Sequence, residues 1–192
     1  MVTPLPMRFE EEPLLWTVPD VYTEEECREL IGYIESQAPT LATNNPMYRD
    51  QDRVILDSPE HARELFQRLR PHLAERIGPF RLVGINERLR CYRYKVGQQF
   101  SPHMDHWYRP SPRQITLHTV LVYLNGGFEG GETRFMEQIE EVVVPQAGLV
   151  AVFQHKIRHE GCEVRAGVKY AFRTDVLYES DEEIGSVVLD TP

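Results

Sequence analysis

A chain of 192 residues fits one domain and is long enough to bury a core without disulfides. Its 21 Lys and Arg against 30 Asp and Glu leave a formal charge of −9, which argues against nucleic acid as a partner, since phosphate binding needs clustered positive charge. No run reaches the roughly 20 apolar residues of a membrane helix, and the opening MVTPLPMRFEEEP lacks a basic segment followed by an apolar one, so a cytoplasmic protein with no membrane contact is expected.

In chain order, the first twelve residues read as loosely held and LLWTV (14–18) as a short strand. Thr23 and Glu26 form a capping box ahead of a helix whose apolar face carries Cys27, Leu30, Ile31 and Ile34. Residues 39–56 mix turn formers and charges, suggesting a surface loop with a strand at its end. Ser58-Pro59 opens a second helix with Ala62, Leu65, Phe66 and Leu69 on one face, and Pro71 should break it.

From about residue 80 the pattern changes to strands. In INERLRCYRYKVG, Leu89 and Cys91 point one way, and Arg90, Tyr92 and Tyr94 the other. The run Thr116–Asn125 is rich in β formers. GGFEGGETRF turns through four glycines, and EVVVP, GLVAVFQ and VKYAFRTDVLY follow as further strands. Short strands between Gly and Pro turns, preceded by helices, predict a mainly β chain with flanking α. The expected architecture is a double-stranded β-helix (jelly roll, cupin-like) with N-terminal helices packed on its major sheet. The whole of 1–192 reads as a single domain: helical support over about 20–78, a jelly-roll core over about 80–178 and an acidic tail over 179–192. Cys27, Cys91 and Cys162 are odd in number and form no C-x-x-C, which suits reduced thiols better than a disulfide or zinc–thiolate framework.

The stretch SPHMDHW (101–107) places two histidines and a carboxylate within four residues. His103 and Asp105, two apart, point the same way on a strand or at its end. A third metal ligand would have to come from another strand, either His155 or His159. Two His and one carboxylate on one face of an octahedral ion leave three positions open, the arrangement of non-haem Fe(II) oxygenases. The spacing alone does not choose iron over a catalytic zinc.

Three motifs, YRYKVGQQFSPHMD (92–105), TVLVYLNGGFEGGETRF (119–135) and RHEGCEVRAGVKYAFRTDVLY (158–178), resemble those of the 2-oxoglutarate- and Fe(II)-dependent oxygenases, prolyl 4-hydroxylase-like branch. The resemblance spans about residues 86–178. It implies His103, Asp105 and His159 as catalytic iron ligands, His159 being preferred to His155 because only it has the HEG context and the ten-residue step to Lys169. It also implies Lys169 on the far carboxylate of 2-oxoglutarate, and Tyr94 and Tyr123 beside that cosubstrate. A buried lysine opposite a dicarboxylate tail is physically apt, since it supplies a charge-assisted hydrogen bond. Arg173 is expected to pair with an acid near the barrel, as a structural group. Asp105 favours hydroxylation, because related halogenases carry a small residue there. The implied cofactors are Fe(II), 2-oxoglutarate and O2, with ascorbate as an accessory reductant.

Segments 42–54 and 106–114 flank the expected mouth, making His106, Trp107, Arg53 and Arg109 the candidate substrate contacts. Trp107 and Tyr108 suit an apolar ring or a peptide surface, and Arg49, Arg53 and Arg109 suit a carboxylate or an acidic peptide. Three functions remain open: a peptidyl hydroxylase acting on proline, a hydroxylase of a free amino acid or small natural product, and a non-catalytic jelly-roll binding module. Oligomeric state is not encoded visibly.

Overall fold

The computed structural model of the chain describes residues 9–42 and 49–184. Its elements are β1 (Leu15–Val18), α1 (Glu24–Ser36), β2 (Thr40–Leu41), β3 (Asp52–Asp57), α2 (Pro59–Leu69), β4 (Arg76–Ile77), β5 (Phe80–Ile85), β6 (Arg88–Tyr94) and β7 (Phe100–His103). Then follow β8 (Gln114–Tyr123), β9 (Glu129–Gly130), β10 (Thr133–Met136), β11 (Glu141–Val143), β12 (Val150–Gln154), β13 (Arg158–Gly161), β14 (Val164–Ala166) and β15 (Lys169–Ser180).

The capping box forms as the sequence predicts. Glu26 N–H donates to Thr23 Oγ1 at 3.2 Å and Thr23 N–H to Glu26 Oε2 at 2.7 Å, satisfying two otherwise orphaned donors. The same Glu26 carboxylate accepts Arg68 at 2.5 Å, which ties α2 to the start of α1. Ser58 caps α2, and the chain tightens into a single 3-10 turn at Arg70–His72, where Pro71 cannot continue the α-helical ladder.

A nine-stranded antiparallel sheet runs β1-β12-β8-β15-β6-β3-β2, with β5 on β15 and β4 on β5. A four-stranded sheet, β11-β10-β13-β7, faces it, and β14 pairs with β9. This two-sheet architecture is the expected jelly roll. The major sheet is larger than the core predicted over about 80–178, because β1 and β3 are drawn from the N-terminal segment to cover its edges. β3 pairs along all six of its residues with β6, and is the strand expected at the end of the 39–56 segment.

Alternation decides what each face of the major sheet does. Leu89 and Cys91 pack with Leu65, Leu69, Val122 and Phe172 in the larger core cluster, beneath the helices. Arg90, Tyr92 and Tyr94, of opposite parity, face the space between the sheets. Gly148 closes the helical layer onto the barrel: its φ is +78° and an added Cβ would lie 2.0 Å from the Tyr22 carbonyl oxygen. Among the described residues no helix is long and apolar enough to cross a membrane. Residues 1–8, 43–48 and 185–192, which include parts of the predicted loose N-terminus, rim segment and acidic tail, lie outside the described residues.

Candidate metal centre

His103 ends β7 and stands directly opposite His159 in the antiparallel pairing of β7 with β13. Two residues on, Asp105 has left the sheet, and its N–H donates to the His155 carbonyl at 2.8 Å. One ligand atom from each of His103, Asp105 and His159 lies within 4.8 Å of the other two. A chain separation of more than fifty residues is thus closed by strand register. Each imidazole is oriented alike: Nδ1–H of His103 donates to Ser101 O at 2.8 Å, and that of His159 to Ile157 O at 2.9 Å. Because a carbonyl can only accept, Nδ1 carries the proton and the Nε2 lone pair is left for a cation. Phe100 stacks on His103 at 3.6 Å between ring centroids, and Phe153 meets His159 edge-on at 4.6 Å. These aromatic walls restrict water access to the donors.

Charge at the centre is set by burial and one arginine. Burial pushes His103 down to about 4, helped by His159, and burial lowers His159 too, so both rings are neutral ligands near pH 7. For Asp105 burial acts upward, but the Arg173 guanidinium, 3.1 Å from Oδ1, and the two imidazoles hold the carboxyl well below its ordinary value. Arg173 also meets Asp175 at 2.9 Å, and Arg90 meets Asp175 at 3.3 Å. Arg173 is therefore not only the partner of an acid near the barrel; it lines the pocket and grips the carboxylate of the metal cluster. Its parity with Lys169, four residues earlier on the same strand, was the available signal.

The other missed group is Thr119. Its hydroxyl donates to Asp105 Oδ2 at 2.5 Å, so it can only accept from His155 Nδ1 at 2.9 Å. His155 Nε2 must then accept from the Thr116 hydroxyl at 3.0 Å. Both nitrogens of His155 are thereby occupied. This rival third ligand sits behind the cluster and helps orient Asp105.

A small cavity beside the cluster runs between Tyr92, Tyr94, Phe100, Thr133 and Lys169. Lys169 is 3% exposed, and its Nζ donates to Gly131 O at 2.7 Å. Burial lowers its pKa from 10.5 to about 8. Its ammonium lies 5.1 Å from the Tyr94 ring centroid and 5.5 Å from that of Tyr123. Tyr94 lines the cavity. Tyr123 stands one layer behind, its hydroxyl donating to Thr133 Oγ1 at 2.7 Å, so that Thr133 rather than Tyr123 presents a hydroxyl there.

Of the four expected substrate contacts, only Arg53 sits beside the cavity, in register with Tyr92. After Asp105 the chain runs back along β8 away from the cluster: Thr116 N–H donates to Tyr108 O, Tyr108 N–H donates to the Thr116 hydroxyl, and Ser111 bridges Gln114. His106 is exposed on this return. Trp107 packs against the larger core, with Lys156 Nζ 4.8 Å from its ring centroid. Arg109 donates to Ile184 O at 2.5 Å, tying the end of the described chain to this loop. His106, Trp107 and Arg109 are thus not brought to the cavity, because the β8 pairing fixes the loop's direction.

Two His nitrogens and one carboxylate oxygen, with a buried cation across the same cavity, fit a divalent ion with open positions and a dicarboxylate bound beside it. Residues 89–174 match the sequence profile described as the 2OG-Fe(II) oxygenase superfamily, a span that contains the three donors and Lys169. No curated protein matches the chain. The fold is similar to that of a collagen prolyl hydroxylase of Paramecium Bursaria Chlorella virus-1 solved as its 2OG complex (TM-score 0.67, 21% identity, covering 88% of this chain and 98% of that one). It is also similar to a Pseudomonas putida prolyl-4-hydroxylase (TM-score 0.66, 18% identity, 85% and 91%). A third likeness is to a Trichoplax adhaerens prolyl hydroxylase in complex with a hypoxia inducible factor peptide fragment (TM-score 0.63, 17% identity, 89% and 86%). The chain thus shares the fold of these enzymes, and its residues 89–174 carry the motifs of the 2OG-Fe(II) oxygenase profile, whose name implies Fe(II) and 2-oxoglutarate as the partners of the cluster and the buried lysine.

Proposed function

We propose that the chain hydroxylates an unactivated C–H bond of a residue in a protein or peptide, preferably proline, with 2-oxoglutarate converted to succinate and CO2. The observation that carries this reading is the clustering of His103, Asp105 and His159, from β7, the turn after it and β13, beside a cavity that Lys169 of β15 also lines. The peptide-bound Trichoplax enzyme of the same fold supports a peptidyl substrate.

In this mechanism His103 Nε2, His159 Nε2 and an Asp105 oxygen hold Fe(II), and Lys169 receives the far carboxylate of 2-oxoglutarate, with Tyr94 and Thr133 lining its path. The iron, when bound, supplies O2 activation coupled to oxidative decarboxylation of the cosubstrate. The protein's part is orientation and charge. Arg173 and Thr119 keep Asp105 ionised and fixed in direction, so the carboxylate meets the metal without a proton to lose. Backbone carbonyls hold both imidazoles in the ligating tautomer. The buried Lys169 is poorly solvated, so a dicarboxylate gains more from it than from a surface lysine. Phe100, Phe153 and Tyr92 keep the cavity apolar elsewhere, which limits side reactions with water.

The second reading, a free amino acid or small natural product as substrate, shares every one of these groups. Offering proline-containing peptides and free amino acids separately, with succinate and a product one oxygen atom heavier as readouts, separates the two. Turnover confined to small molecules would sink the peptidyl reading. A non-catalytic binding module predicts no visible charge-transfer band with anaerobic Fe(II) and 2-oxoglutarate, and no effect of His103→Ala on it.

A further inference from the structure

The wall of the cavity on the β3–β6 side carries positive charge beyond what the metal cluster uses. On β6, Arg90 and Tyr92 share the inward face, and on β3, Arg53 pairs directly with Tyr92. Arg53 and Arg90 are therefore diagonal neighbours, about 7–8 Å apart at their bases. Arg49 bridges in register to Phe100 of β7, and its guanidinium lies 5.3 Å from that ring's centroid. Phe100 in turn stacks on His103. Arg90 is the register partner of Arg173, whose guanidinium touches Asp105. Register thus sets three arginines beside residues that line the cavity: Arg53 beside Tyr92, Arg90 beside Arg173 and Arg49 beside Phe100.

Among the described residues, the carboxylates nearest these arginines are already engaged. Asp105 takes Arg173 and Thr119, and Asp175 takes Arg173, Arg90 and Asn86. Asp52 lies on the other face of β3 with Arg93 and Lys95, Asp57 pairs with Arg88, and Asp50 accepts the Gln99 N–H. Arg49 donates to the Ala42 carbonyl, a neutral acceptor. Arg53 is half-buried, and burial followed by the repulsion of Arg49, then of Arg90 and Arg88, pushes its pKa down. Four guanidinium groups (Arg49, Arg53, Arg90 and Arg173) face two carboxylates here, before a divalent cation adds its own charge. In a chain of net charge −9 this is a local reversal of sign. Partly desolvated like charges kept together are favourable only when an anion joins them.

We propose that Arg49, Arg53 and Arg90 form a carboxylate-binding rim that receives an acidic side chain of the substrate adjacent to the residue being oxidised. The assignment rests on the peptidyl hydroxylase reading above and narrows it to acidic sequence contexts. The rim is separate from Lys169, which lies at the opposite end of β15's inward row, four residues from Arg173, so cosubstrate and substrate carboxylates do not compete. An aspartate or glutamate flanking the target would meet two or three guanidinium forks, the geometry in which arginine binds carboxylates best.

The test uses the full chain loaded anaerobically with Fe(II) and saturating 2-oxoglutarate. Two fluorescent peptides are titrated by anisotropy, one with Glu on both sides of a central Pro and one with Gln in those places; free glutamate is a third probe, read by competition. Wild type should favour the Glu peptide by about tenfold or more, and the preference should shrink as salt is raised from about 50 mM to 500 mM. Arg53→Gln and Arg49→Gln should each remove most of it, and Arg53→Lys should restore part. An undiminished 2-oxoglutarate charge-transfer band and melting curve identify variants that remain folded and loaded. Equal binding of the two peptides by wild type, or a preference that survives both Gln variants, overturns the rim. Turnover of a proline peptide without any carboxylate preference overturns the rim and leaves the peptidyl reading standing. Arginine-dependent binding of free glutamate alone supports the rim and overturns the peptidyl reading.

Discussion

Replacing Lys169 by Met separates the cost of holding a buried ammonium from its use. Burial lowers the amine from 10.5 to about 8, and at 1.36 kcal/mol for each tenfold step this represents about 3 kcal/mol of unfavourable charge burial near neutral pH. Lys169→Met removes that cost and also the hydrogen bond to Gly131 O, whose loss costs about 1–2 kcal/mol. The ligand-free variant should therefore be more stable than wild type by about 1–2 kcal/mol at pH 7, a rise in Tm of a few degrees. The sign with pH follows from the folded amine lying below its unfolded value. The wild-type penalty is fully present below about pH 8 and fades as pH rises towards 10.5, so the variant's advantage should fade over that window. Binding should move the opposite way. With its far carboxylate unpaired in an apolar cavity, 2-oxoglutarate should bind Lys169→Met at least about a hundredfold more weakly. Wild-type affinity should itself decline above about pH 8 as the amine loses its proton. Urea unfolding without ligand and anaerobic titration of the Fe(II)–2-oxoglutarate band supply the two measurements. A variant less stable than wild type at pH 7, or one that binds 2-oxoglutarate normally, would refute the assignment.

Arg173→Met leaves Asp105 and Asp175 without their shared cation, and should destabilise the metal-free protein by about 3–5 kcal/mol. Adding Zn(II) should recover part of this, because a metal re-pairs Asp105 but not Asp175; identical urea midpoints for variant and wild type would contradict it. Because burial lowers His103 to about 4 and depresses His159, Mn(II) affinity measured by calorimetry should stay flat between about pH 6 and 8. An affinity that drops as pH falls through about 6.5, the free imidazole value, would show that these rings are not held as neutral ligands. Gly131 has φ +68°, and an added Cβ would lie 2.8 Å from the Phe128 ring and 3.3 Å from Lys169 Cδ. Gly131→Ala should cost about 1–3 kcal/mol in stability and weaken 2-oxoglutarate binding through the displaced Lys169, and normal binding in a calorimetric titration would count against that path.

Much of this molecule was legible along the chain because the deciding rules are local. The capping box, the Ser58-Pro59 start and the Pro71 break depend on groups within one helical turn. Parity within a strand separated Leu89 and Cys91 from Arg90, Tyr92 and Tyr94 without reference to any neighbour. The resemblance of three motifs to the 2-oxoglutarate- and Fe(II)-dependent oxygenases likewise implied His103, Asp105, His159 and Lys169, which the fold gathers around one cavity. Only the tertiary structure decided matters that depend on which strands become neighbours. Pairing of the 106–113 return with β8 carried His106, Trp107 and Arg109 away from the cavity, although Trp107 directly follows the His-x-Asp-His run. Register brought Arg53 beside Tyr92 and Arg90 beside Arg173, and set Arg173 against Asp105 across nearly seventy residues of chain. Chemical identity is carried by residue type and short spacing. Contact between distant charges is carried by hydrogen-bond register, which no single stretch of sequence contains.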